Sequence, residues 1–93
     1  MRKYELMVIF PIEEEKFKTG IEGVRGGLSE FGADIEKEEP FGDRELCYLI
    51  KKQSRGRYVL FNIRVNPAKI IDIDGRFKLN QNVLKFLFVR VDE

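Results

Sequence analysis

Residues 4–32 read YELMVIFPIEEEKFKTGIEGVRGGLSEFG, and inside this stretch the hydrophobic period changes from two to about 3.6. In residues 4–10, Leu6, Val8 and Phe10 fall on one face of an extended chain and Met7 and Ile9 on the other. Both faces are apolar, which predicts a central strand. Pro11 ends it. From there Phe17, Ile21, Val24, Leu28 and Phe31 step by four, three, four and three, so they form one stripe along a helix. Glu13, Glu14 and Glu15 sit where the positive end of the helix dipole favours carboxylates, and Gly32 offers a left-handed residue to close the helix. Gly20, Gly23, Gly26 and Gly27 each weaken the helix by about 1 kcal/mol relative to alanine. The expected compensation is close packing of the helix against a sheet.

Working outward, residues 34–52 form a long second strand interrupted at Pro40-Phe41-Gly42-Asp43. Proline and glycine inside a strand pattern indicate an edge position with a bulge. Gln53-Ser54-Arg55-Gly56 reads as the hairpin turn, and residues 57–65 (RYVLFNIRV) as the third strand. Asn66-Pro67 supplies an N-cap and a first-position proline for a second helix with Ile70, Ile73 and Phe77 on its inner face. Asn80-Gln81-Asn82 is a turn cluster, and residues 83–91 (VLKFLFVRV) form the fourth strand.

The order is β-α-β-β-α-β over a single expected domain, residues 1–93. Each helix joins strands that lie parallel with one strand between them. Right-handed crossovers then give an α+β, ferredoxin-like sandwich, a four-stranded antiparallel sheet with both helices on one face. The other face has no covering element, yet it receives Met7, Ile9, Leu87, Val89 and part of the third strand. A continuous apolar patch of this kind marks an interaction surface.

Composition narrows the function classes. With 43% apolar and 35% charged residues in 93, the chain suits a small soluble fold. It has no apolar run long enough to span a membrane, and its N-terminal region lacks the pattern of a secretory signal. A lone Cys47 excludes an internal disulfide and fits a reducing compartment; if buried it packs as a small hydrophobe. Without histidine and with one cysteine, the usual zinc sets and the Ser-His-Asp or Cys-His arrangements cannot be built, so no metal, cofactor or catalytic residue is expected. The net charge of +1 hides a division: residues 1–45 hold seven basic against twelve acidic residues, and residues 46–93 hold ten against four. No acid occurs between Glu45 and Asp72, where Lys51, Lys52, Arg55, Arg57, Arg64 and Lys69 fall. Such a cluster attracts phosphate, although basic hairpin tips also serve simply as soluble edges.

The fold itself leaves the function open, because acylphosphatases, ligand-sensing domains and RNA-recognition domains share this architecture. A phosphatase needs glycine and arginine at the first strand-to-helix turn, and here that turn is Pro11-Ile12-Glu13-Glu14-Glu15. Arg55-Gly56-Arg57-Tyr58-Val59-Leu60-Phe61 begins like an RNA-recognition motif but lacks its second small residue. A small-molecule-sensing or acylphosphatase-like domain remains the alternative to a non-catalytic binding protein.

Three stretches carry a resemblance. Met1-Arg2-Lys3-Tyr4-Glu5, Gly42-Asp43-Arg44-Glu45-Leu46-Cys47-Tyr48-Leu49-Ile50-Lys51 and Asn80-Gln81-Asn82-Val83-Leu84-Lys85 resemble corresponding parts of the bacterial small-subunit ribosomal protein S-six family, in the right order along the chain. The resemblance implies a structural component of the cytoplasmic small ribosomal subunit that binds the central domain of small-subunit ribosomal RNA. It also implies a heterodimer with ribosomal protein S-eighteen, through the second strand around Glu39, Arg44 and Glu45. Alternating charges on an interrupted edge strand agree with that, since they both block self-pairing and select a partner. For RNA, the candidates are Arg2, Lys3, Lys85 and Arg90 at the ends of adjacent strands, with Tyr4 beside them either for stacking on a base or, as is common for a strand tyrosine, packed in the core. Lys51, Lys52, Arg55 and Arg57 at the hairpin form a second candidate surface.

Overall fold

The computed structural model describes residues 1–91. The elements follow the expected order: β1 (Arg2–Phe10), α1 (Glu14–Glu30), β2 (Asp34–Ile50), β3 (Gln53–Val65), a single 3-10 turn (Pro67–Lys69), α2 (Ile70–Lys78) and β4 (Lys85–Arg90). The sheet order is β2-β3-β1-β4, and every neighbouring pair is antiparallel. β1 is therefore central, as its two apolar faces require. The fold is the expected ferredoxin-like α+β sandwich.

Alternation in β1 sends Leu6, Val8 and Phe10 into the core, where all three are fully buried. They meet Ile21, Val24 and Leu28 from α1, Ile73 and Phe77 from α2, and Val59, Phe61, Ile63 and Val65 from β3. Burying an aliphatic or aromatic side chain of this size stabilises by about 1.5–3 kcal/mol, so this layer is the principal source of stability. Phe77 joins α2 to β4, edge-on to Phe86 and stacked on Phe88 with ring centroids 5.4 and 6.2 Å apart.

α1 ends in a double backbone bond, Ala33 N–H to the Leu28 carbonyl (2.9 Å) and Gly32 N–H to the Ser29 carbonyl (3.1 Å), with Gly32 at φ +75°. This is the left-handed closure expected of Gly32. Asn66 caps the 3-10 turn, its side-chain oxygen accepting from Ala68 N–H at 3.0 Å. β2 is an edge strand, with a register shift between Pro40 and Gly42 where Gly42 takes φ +84°.

Four expectations are corrected. The hairpin turn is Lys51-Lys52, between the paired residues Ile50 and Gln53, so β2 stops at Ile50 and Gln53 to Gly56 belong to β3. Both lysines have positive φ, 49° and 66°, as a two-residue turn matching the strand twist requires. β4 is shorter than the apolar pattern indicated, because Val83 and Leu84 belong to the approach, where Leu84 N–H bonds to the Ile9 carbonyl at 2.7 Å. Cys47 is exposed, so the burial on which its reading as a small packed hydrophobe depended is not met. Finally, the α1 glycines admit the sheet only in part: a Cβ on Gly20 would lie 3.0 Å from the Phe10 ring of β1, but the tighter contacts are elsewhere. A Cβ on Gly20 would lie 2.4 Å from the Asn82 carbonyl oxygen, and one on Gly23 would lie 2.6 Å from the Asn80 side-chain nitrogen. It is the 80–82 turn that docks on α1, with Asn80 donating to the Gly20 carbonyl (3.1 Å) and accepting from Asn82 N–H (2.9 Å).

Candidate nucleic-acid interface

The fold sorts the basic side chains into those consumed internally and those left facing solvent. Arg57 is consumed: its guanidinium donates to both Asp43 carboxylate oxygens (2.8 and 3.3 Å) and to Glu14 (3.1 Å), and lies 4.6 Å from the centre of the Phe17 ring. That hydrogen-bonded contact holds the Asp43 carboxyl below its usual range and raises Arg57. Arg57 therefore ties β2, β3 and the start of α1 together, and does not add to a basic hairpin surface. Arg25 pairs with Glu38, Arg64 with Glu36, Arg76 with Glu30 and Lys78 with Asp74.

Among the described residues, Arg2, Lys52, Arg55, Lys69 and Arg90 have no carboxylate within ion-pair distance. These cations and the remaining candidates fall at two opposite ends of the sheet. At one end Arg90 is registered against Tyr4, and Arg2 and Lys3 lie just before Tyr4 on the adjacent strand. Tyr4 and Arg2 share the helix-side parity of β1, and Lys3 points to the open side. Tyr4 is half-buried against the core.

Lys85 is not part of that group. It is registered against Ile9, five residues further along β1, which is about 17 Å at 3.4 Å per residue. The grouping expected from sequence fails because Lys85 and Arg90 occupy the two ends of β4. Lys85 instead joins the hairpin candidates. The β2–β3 arm runs beyond the end of β1 and its tip reaches across to the approach to β4, where Lys51 Nζ donates to the Val83 carbonyl at 2.9 Å. Lys85 Nζ donates to Tyr48 Oη at 3.3 Å. Lys52 and Arg55 are exposed on the same arm.

The residues expected to meet a partner are divided as well. Glu39 and Arg44 are registered against Leu60 and Gly56, on the open side of the sheet; Glu45, opposite Arg55, has the other parity. Glu39 pairs with Lys37 at 2.8 Å, and Arg44 lies 6.0 Å from the Tyr58 ring centre. Beside them the open face is apolar, with Leu87 and Val89 60% and 47% exposed and Met7 and Leu60 half-buried between strands, while Ile9, expected in the same patch, is buried. The sequence reading did not single out Tyr48 or Tyr58, whose alternation on a hairpin was the signal available.

The enzyme alternative needs an anion cradle at the first strand-to-helix turn. Instead Glu13, Glu14 and Glu15 are all exposed there, and the groove between α1 and β2 (about 550 Å³) sets Glu14, Glu15, Glu22 and Glu38 against only Lys18 and Arg25, the latter already paired with Glu38. A phosphate would meet repulsion there. No helix among the described residues is long and apolar enough to cross a membrane.

Comparison with known proteins places the chain in a family. The family model described as Ribosomal protein S6 matches residues 3–90. The small ribosomal subunit protein bS6 of Treponema denticola is 55% identical over 93 residues, covering all of both chains. That of Halalkalibacterium halodurans is 40% identical over 95 aligned positions, again covering all of both. The crystal structure of 30S ribosomal protein S6 from Thermotoga maritima superposes with a TM-score of 0.85 at 25% identity, covering 97% of this chain and 87% of that one. Sequence and fold converge: the chain belongs to the ribosomal protein S6 family, structural and non-enzymatic proteins of the small ribosomal subunit.

Proposed function

We propose that this protein binds small-subunit ribosomal RNA, in its central domain, jointly with ribosomal protein S-eighteen. The observation that carries the reading is the pair Arg2 and Arg90, on neighbouring strands around Tyr4 and without carboxylate partners among the described residues. Guanidinium groups left unneutralised by the fold hold phosphates, and Lys3 lies beside them. The partner takes the open side of the β2 edge. There Glu39 and Arg44 offer charges of both signs beside unpaired strand groups and an apolar sheet face, a combination that selects a complementary protein.

Filter binding of a central-domain RNA fragment tests both halves. The protein alone should bind weakly with steep salt dependence, and ribosomal protein S-eighteen should raise affinity about 5- to 150-fold. Arg2→Ala combined with Arg90→Ala should weaken RNA binding while leaving the melting temperature nearly unchanged. Equal affinity with and without the partner overturns the joint mechanism. Unchanged binding by the double variant moves the RNA surface away from this end of the sheet.

A further inference from the structure

Lys51 and Lys85, 34 positions apart in sequence, line one cleft together with Lys78 at the end of α2. The cleft holds about 400 Å³ and has an apolar floor that includes Phe77, Val83 and Phe86. Asp74 is the one acidic residue lining it, and Lys78 already neutralises it at 2.9 Å. The other two ammonium groups face neutral oxygens, the Val83 carbonyl and the Tyr48 hydroxyl. Each is thereby held in place with N–H donors to spare, since an ammonium carries three. Tyr48 does not line the cleft itself but stands beside Lys85, 63% exposed, with Lys85 Nζ 6.0 Å from its ring centre. A large aromatic ring left in solvent beside positioned cations is the pairing that single-stranded nucleic acid uses, phosphate on the ammoniums and base on the ring.

We propose that this cleft seats a backbone phosphate of single-stranded RNA on Lys51, Lys78 and Lys85, with Tyr48 as the stacking platform for the adjoining unpaired base. The proposal rests on the RNA-binding reading and deepens it. RNA then attaches at two separated points, this cleft and the Arg2–Arg90 end about 17 Å along β1. A protein partner without matching carboxylates is disfavoured here, because three ammonium groups against one carboxylate would be desolvated without compensation.

The experiment measures affinity for the central-domain RNA fragment over a range of potassium chloride, with ribosomal protein S-eighteen present throughout. Lys78→Gln with Lys85→Gln leaves the Lys51 tether intact and should make the slope of log K against log salt shallower by about 0.7, the value for one single-strand phosphate. Tyr48→Ala should weaken binding about fivefold or more at every salt concentration with the slope unchanged, and Tyr48→Phe, which keeps the ring but releases Lys85, should recover most of that loss. Wild-type slope and affinity in the cleft variants, while Arg2→Ala with Arg90→Ala still weakens binding, overturns the proposal and spares the wider reading. Loss of affinity for ribosomal protein S-eighteen with an unaltered RNA slope also overturns it, making the cleft a protein site. If the wild type shows no salt-dependent RNA binding at all, the wider reading falls and this one with it.

Discussion

Arg57 illustrates what sequence reading cannot resolve about a charge. It stands in a run of residues without acids, yet its partners Asp43 and Glu14 come from 14 and 43 positions away. The contact has a pH signature. Asp43 is held below the usual aspartate value of about 3.9, and Arg57 stays charged throughout the acid range. The pair's stabilisation is therefore fully present above the unfolded-state value and is lost as pH falls through the lower folded value. Asp43→Asn should be less stable than wild type by about 0.5–1 kcal/mol at neutral pH, because both partners remain partly solvated. Urea midpoints measured between pH 2 and 7 should show that gap closing below about pH 4. Lys52 carries a different residue-scale cost. At φ +66° a side chain bearing a Cβ is strained, so Lys52→Gly should raise stability by about 1 kcal/mol in the same measurement.

At the scale of elements, the apolar stripe on α1 was legible because helical spacing is local, and so were the cap at Gly32 and the bulge at Gly42. The reason for the α1 glycines was not legible. Gly20 and Gly23 face Asn82 and Asn80, about sixty residues later, so the cause lies outside any local window. Alanine substitution separates the two kinds of glycine. Gly20→Ala drives a Cβ to 2.4 Å from a backbone oxygen and should lower the melting temperature by several degrees, while Gly26→Ala enters open space and should raise stability by up to about 1 kcal/mol. The hairpin turn was misread for a related reason. Ser54-Arg55-Gly56 has turn chemistry, but the tip is set by strand pairing and by the tether from Lys51 to Val83, which hold two lysines in a left-handed turn.

For the whole molecule, element order and the apolarity of β1 sufficed for the sheet topology and for its uncovered face. The candidate interface was only half legible. Which basic residues exist is written in the sequence; which remain available depends on tertiary ion pairs, and which stand together depends on strand direction. Lys85 and Arg90 look adjacent along the chain, yet the strand between them carries them to opposite ends of the sheet. The bases thus form two poles around an apolar sheet. The central place of β1 has one more implication, for synthesis. Its neighbours are β3 and β4, so the first strand to be translated borders one of the last. Until residue 90 has cleared the exit tunnel, Leu6, Val8 and Phe10 lack the flank that Phe86 and Phe88 provide, and a stalled nascent chain exposes the side of its sheet where the final strand should add.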